Sequence, residues 1–143
     1  MFRAFKETEN RVLTVEQLLH EARALLPYRR SPEETLGEID AGALVIDIRG
    51  DEQQRRDGLI PRTMVIRRNV LEWRCDPVSP WHHALITHHG QKIILFCNEG
   101  YQSILAAANL QRLGLTYATD MVGGFSSWKA AGLPTTPYGD PLE

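Results

Sequence analysis

Two segments, Ala43-Leu44-Val45-Ile46-Asp47-Ile48 and Lys92-Ile93-Ile94-Leu95-Phe96-Cys97, restrict the possible folds of this chain more than any other feature. Each is almost continuously apolar. A strand with one wet face alternates apolar and polar side chains, whereas a strand covered on both faces does not. Both segments therefore read as central strands of a sheet that is packed on either side. The intervening stretches read as the helices that do the covering.

Thr14-Val15-Glu16-Gln17 is a capping box. It opens an amphipathic run with Val15, Leu18, Leu19, Ala22, Leu25 and Leu26 at helical spacing, which Pro27 ends. Ser31-Pro32-Glu33-Glu34 starts a second helix, which closes at Ala41-Gly42. Residues 51–57 suit a polar helix. Gly58-Leu59-Ile60-Pro61 is a turn into a short strand around Met64-Val65-Ile66. Ser79-Pro80 predicts a helix over about 80–89. A helix from Ser103 to Leu113 stops at Gly114, a strand runs over 118–122, and a last helix spans Phe125 to Ala131. Strands alternating with helices place the chain in the α/β class, with a parallel sheet and helices on both faces. In such sheets ligands bind beyond the carboxyl ends of the strands. Asp47-Ile48-Arg49 and the segment from Cys97 onward sit at two of those ends.

Bulk properties narrow the function classes. At 143 residues the chain has the size of one domain with its own core, and 43% apolar with 24% charged residues reads as a soluble globule. A formal net charge of -2 offers no broad cationic face to nucleic acid or an anionic membrane. No apolar run is long enough to span a bilayer. The N-terminal residues lack the apolar core of a secretory signal, and the first ten read as a mobile segment. Two cysteines cannot make a disulfide framework, so a reducing cytoplasm is the expected compartment.

Cys97 ends a buried strand, and Ser103 begins a helix six residues later. The loop between them must curl, and Gly100 permits positive φ there. Loop N–H groups and the free N–H groups of the helix N-terminus then converge on one spot, which favours an anion. A cysteine there is favoured as a thiolate. Ser103 can cap the helix and donate toward the sulfur. On spacing alone Cys97 is equally well a small buried hydrophobe. Low-molecular-weight and tyrosine phosphatases use the same strand–cysteine–loop–helix order.

Five pieces in sequence remove much of that ambiguity: Val45-Ile46-Asp47-Ile48-Arg49, Gly58-Leu59-Ile60-Pro61, Asn69-Val70-Leu71-Glu72-Trp73-Arg74 with Asp76-Pro77, Cys97 through Ser103, and Gly123-Gly124-Phe125-Ser126-Ser127-Trp128. In order and spacing, residues 31 to 134 resemble a rhodanese domain. The resemblance implies a five-stranded parallel sheet with helices on both faces. It also implies a sulfurtransferase activity in which Cys97 carries sulfane sulfur as a persulfide, from a small donor such as thiosulfate to an acceptor thiol or acceptor protein. Asn98, Glu99, Gly100, Tyr101, Gln102 and Ser103 would form the persulfide cradle. Asp47 and Arg49 would form a charged pair beside it, with an ion pair that fixes the loop favoured over direct substrate contact. No cofactor or metal is implied. The six-residue loop matches the sulfurtransferase branch of the fold, and the related phosphatases carry a longer one.

The sequence departs from the family pattern at the loop. Gln102 stands where a common form has arginine, and Glu99 replaces a cation, so the identity of the donor is open. Arg49 or Arg74, if aimed inward, would supply the missing charge. The alternative is a catalytically weak module for protein interaction or redox sensing. Leu59 stands at the family's histidine position, and Arg62-Thr63 replaces Gly-Ala in a structural turn. Cys75 reads as packed rather than as a redox partner. His82, His83, His88 and His89 read as a solvated helix and turn rather than a metal site. Trp73, Trp81 and Trp128 read as core or lid, and the pairs Arg29-Arg30 and Arg67-Arg68 as solvated. The chain thus divides into an N-terminal extension with one amphipathic helix (1–30), the rhodanese-like domain (31–137) and a tail (138–143). The extension's apolar stripe must be buried, on the domain or in a homodimer.

Overall fold

The computed structural model describes residues 11–139. The reading of residues 1–10 as a mobile segment, and most of the tail, lie outside the described residues. The strands are β1 (Leu44–Asp47), β2 (Met64–Val65), β3 (Ile93–Phe96) and β4 (Ala118–Asp120). All run parallel, in the order β2-β1-β3-β4. The helices are α1 (Val15–Leu25), α2 (Pro32–Asp40), α3 (Asp51–Asp57), α4 (Leu71–Cys75), α5 (Gln102–Arg112) and α6 (Gly124–Ala130), with a 3-10 turn at Arg68–Val70.

The two apolar segments are the central pair, in register from Leu44 opposite Ile93 to Asp47 opposite Phe96. Successive side chains point to opposite faces. Val45, Ile94 and Phe96 pack with Ile39 of α2 and with Phe125 and Trp128 of α6. Ile46, Ile93 and Leu95 pack on the other face with Ala106, Ala107 and Leu110 of α5 and with Leu71 and Cys75 of α4. Both faces are covered, so neither strand alternates. Burying each of these large side chains contributes about 1.5–3 kcal/mol. The small alanines of α5 let its axis approach the sheet closely.

Both capping boxes form: Thr14 accepts from the Gln17 amide, and Ser31 from the Glu34 amide. Helix α1 packs on α5 through Leu19 and Ala22 against Ile104 and Ala108. Its remaining apolar residues Val15, Leu18 and Leu25 stay exposed.

The sheet has four strands, not the five that the resemblance implies. A single bridge between Arg30 and Met121 takes the fifth position at the β4 edge. Pro27 and Pro32 bracket that segment, and α2 begins at Pro32, leaving no room for a longer strand. The helix expected over 80–89 is also absent; this stretch is a series of turns. Its polar side chains bond the backbone locally and compete with a helix. Ser79 Oγ accepts from the Trp81 amide, His83 Nδ1 from the Leu85 amide, and Gln91 ties Thr87, His88 and Leu85. Only Ile86 is buried there, so no apolar face draws the segment into a helix.

Of the tryptophans, Trp128 is core, and its indole N–H donates to the Pro134 carbonyl at 2.8 Å. Trp73 and Trp81 are exposed, contrary to a core placement. Arg62 has φ 65°, the left-handed conformation natural to the glycine that this turn carries in the resembling family.

Candidate active site

Cys97 follows β3 directly and is 7% exposed. Its sulfur accepts two backbone N–H bonds, from Gly100 at 3.2 Å and Ser103 at 3.4 Å. Ser103 lies in the first turn of α5, where amides have no intrahelical acceptor and the helix dipole is positive. The loop therefore curls around the sulfur as the sequence requires, with Gly100 at φ 87°.

A second glycine-rich turn locks the loop from outside. Phe125 and Ser126 donate their N–H groups to the carbonyls of Cys97 and Asn98, both at 2.9 Å. A Cβ on Gly100 would stand 2.6 Å from the Gly123 nitrogen, and one on Gly124 would overlap the Cys97 carbonyl. Gly123 and Gly124 thus do more than break β4: their missing side chains let the two loops touch.

Ser103 departs from its expected roles. It does not cap α5, whose cap position is Tyr101. Its hydroxyl lies 2.7 Å from Asp120 Oδ2 and 3.4 Å from the Cys97 sulfur. A carboxylate only accepts, so the hydroxyl donates to Asp120 and its oxygen faces the sulfur as an acceptor. Asp120 is fully buried and is held by Arg29, with contacts of 2.7 and 3.1 Å. Arg29 also reaches the Gly100 carbonyl at 3.3 Å. Asp120 and Arg29 were not singled out as site residues, and Arg29 is paired rather than solvated. They lie 91 positions apart, and only the acidic Asp120 at the end of the short strand β4 hinted at either.

The other loop residues divide. Asn98 is half-buried, and its Oδ1 has no hydrogen-bond partner among the described residues. Glu99 and Tyr101 are exposed. The Gln102 Oε1 accepts from Arg68 Nε at 3.3 Å. Arg68 also grips Glu72, and Asn109 of α5 donates to the same carboxylate at 2.8 Å. Burial alone would push the Glu72 carboxyl up, but the Asn109 and Arg68 contacts outweigh it and hold its pKa low. Arg67 is likewise paired, to the Arg49 carbonyl and Gln54 at 3.0 Å and to Asp51. The reading of Arg67-Arg68 as solvated is corrected.

Asp47 and Arg49 form a fully buried bidentate pair, at 3.0 and 2.9 Å. Arg49 also donates to the Gly58 carbonyl at 2.7 Å, and its guanidinium lies 4.1 Å from the centre of the Phe125 ring. The pair therefore braces the α3–Gly58 turn and the α6 start that supports the cysteine loop. Arg74 donates to the Trp81 carbonyl at 2.7 Å and is not brought to the loop. The cation nearest the departure at Gln102 is Arg68 instead. Cys75 is fully buried, and burial pushes its thiol up to about 12.

These features have counterparts in known proteins. The profile of the rhodanese-like domain matches residues 31–131. Over 51 residues the chain is 45% identical to thiosulfate sulfurtransferase 16, chloroplastic, of Arabidopsis thaliana; the match covers 34% of this chain and less than half, 42%, of that protein. A structure of a Rhodopseudomonas palustris protein of unknown function, described as a possible tyrosine phosphatase, superposes with TM-score 0.78 at 28% identity, over 88% of this chain and 96% of that one. The human single-domain sulfurtransferase superposes with TM-score 0.62 at 23% identity, over 71% of this chain and 95% of that one, and so shares the fold. With a profile match that spans most of the chain and a sheet and cysteine loop to go with it, this protein belongs to the rhodanese-like domain family.

Proposed function

We propose that this protein is a sulfurtransferase in which Cys97 carries the sulfur. The observation that carries the reading is the Cys97 sulfur at the end of β3 with two backbone N–H groups aimed at it. Those amides stabilise negative charge on sulfur without a formal cation. The Cys97 thiolate attacks the outer sulfur of a donor such as thiosulfate. A new S–S bond forms, the donor's S–S bond breaks, and its electron pair leaves on sulfite. The persulfide then rests in the loop until an acceptor thiol attacks the outer sulfur and Cys97 departs as the thiolate. Asn98 to Ser103 form the cradle, and Asp47 and Arg49 act as its brace.

Arg68 supports recognition of an anionic donor, because it stands at the Gln102 rim where the family commonly has a loop arginine. No helix among the described residues is long and apolar enough to cross a membrane.

The test is intact-mass and peptide spectrometry after incubation with thiosulfate, an organic thiosulfonate or a persulfide. A mass gain of one sulfur atom on Cys97, abolished in Cys97→Ser, is expected. A folded protein that gains no sulfur from any of the three donors would refute the proposal and leave the interaction or redox-sensing module. Hydrolysis of an aryl phosphate would point to a phosphatase instead.

A further inference from the structure

The Cys97 sulfur touches a buried polar chain that the transfer chemistry above does not use. It runs from the sulfur to Ser103 Oγ at 3.4 Å, to Asp120 at 2.7 Å, and on to Arg29. Ser103 and Asp120 are both fully buried. The direction of each bond follows from chemistry. Arg29 donates two charge-assisted bonds to the Asp120 carboxylate, whose oxygens only accept. Asp120 therefore claims the Ser103 proton, and the oxygen turns a lone pair toward Cys97. That lone pair accepts from S–H and repels a thiolate.

We propose that Asp120, held by Arg29, is a positioning residue that fixes the Ser103 hydroxyl as an acceptor and so holds the resting Cys97 as a thiol. The proposal rests on the reading of Cys97 as the working nucleophile. It sets the serine oxygen against the two amides, which favour the thiolate. The other charged groups around Cys97 are the Asp47–Arg49 pair beside Phe96, Arg68 with Glu72 beyond Gln102, and the exposed Glu99. None of these touches the sulfur or Ser103. The resting thiol resists oxidants that attack thiolates, and it releases its proton to solvent before the thiolate attacks the donor.

The test is the pH dependence of iodoacetamide modification at Cys97, read by peptide mass in the full chain and in Ser103→Ala and Asp120→Asn. Ser103→Ala removes the acceptor that favours S–H. Asp120→Asn replaces the carboxylate that claims the Ser103 proton with a weaker, neutral acceptor, which lets the hydroxyl turn its proton toward the sulfur. Each is expected to move the midpoint of the profile to lower pH and speed modification near neutrality by about tenfold, the effect of one hydrogen bond. An unchanged midpoint, or a shift to higher pH, would overturn the proposal. A lowered melting temperature with no movement of the midpoint would mean that Asp120 is only structural, and that also overturns it. Should Asp120→Asn fail to fold, Ser103→Ala decides, because Asp120 keeps Arg29. Alkylation needs no sulfur donor. A shifted midpoint without persulfide formation would thus sink the sulfurtransferase and spare the thiol hold, and persulfide formation without a shift would do the reverse.

Discussion

Removing one half of the Asp47–Arg49 pair should be among the most destabilising single changes in this protein. Both side chains are fully buried. In Arg49→Ala the Asp47 carboxylate keeps one local partner, the amide of residue 49, which the structure places at 3.0 Å. An uncompensated buried charge costs about 3–5 kcal/mol. The Gly58 carbonyl loses its donor as well, at about 1 kcal/mol. Against a domain stability of about 5–15 kcal/mol, either loss is a large fraction of the total. The double variant Asp47→Ala, Arg49→Ala removes both charges, so it should cost clearly less than the two singles added together. Urea unfolding followed by tryptophan fluorescence gives the cycle, with a coupling of about 3 kcal/mol expected. Single losses below about 1 kcal/mol, or losses that simply add, would refute the assignment of this pair as a brace. Arg49 would then be free for substrate, and the Michaelis constant of Arg49→Ala would rise in a protein that is still stable.

Gly100→Ala places a methyl 2.6 Å from the Gly123 nitrogen at φ 87°, so melting should reveal a loss of about 2 kcal/mol or more, together with a changed rate of Cys97 alkylation. Cys75 is set apart from Cys97 by its pKa. Burial, with a smaller contribution from Glu72, raises the thiol from 9.0 to about 12. The unfolded chain releases that proton above pH 9 while the folded chain keeps it, so stability is intact below 9 and falls from 9 toward 12. The slope is at most about 1.4 kcal/mol per pH unit, and Cys75→Ala should flatten it in alkaline urea titrations. Gln102→Arg puts a second cation beside Arg68, and steady-state kinetics should show a thiosulfate Michaelis constant lowered severalfold.

Much of the fold was legible in the chain because its causes are local. Apolar runs without alternation mark strands covered on both sides, and the Thr14 and Ser31 boxes mark where α1 and α2 begin. Cys97 with Gly100 and the following helix marked the cradle, because a strand end, a positive φ and a helix start are short-range properties. The Ser79-Pro80 signal misled for the same reason: a start signal says nothing about whether a buried face follows, and only Ile86 is buried there.

The sequence by itself determined the fold class and the nucleophile candidate, and it favoured an ion pair between Asp47 and Arg49, two residues apart at one strand end. Tertiary structure alone decided which way the Ser103 hydroxyl points, because its acceptor Asp120 comes from another strand and is itself held by Arg29, 91 positions earlier. It also replaced Arg74 with Arg68 as the cation at the loop rim, and reduced the fifth strand to the bridge at Arg30. Spacing along a chain fixes which groups share a helix turn or a strand face. The proton on Ser103 depends on its acceptor, and that acceptor comes near only when β4 and the α1–α2 connection pack around the start of α5.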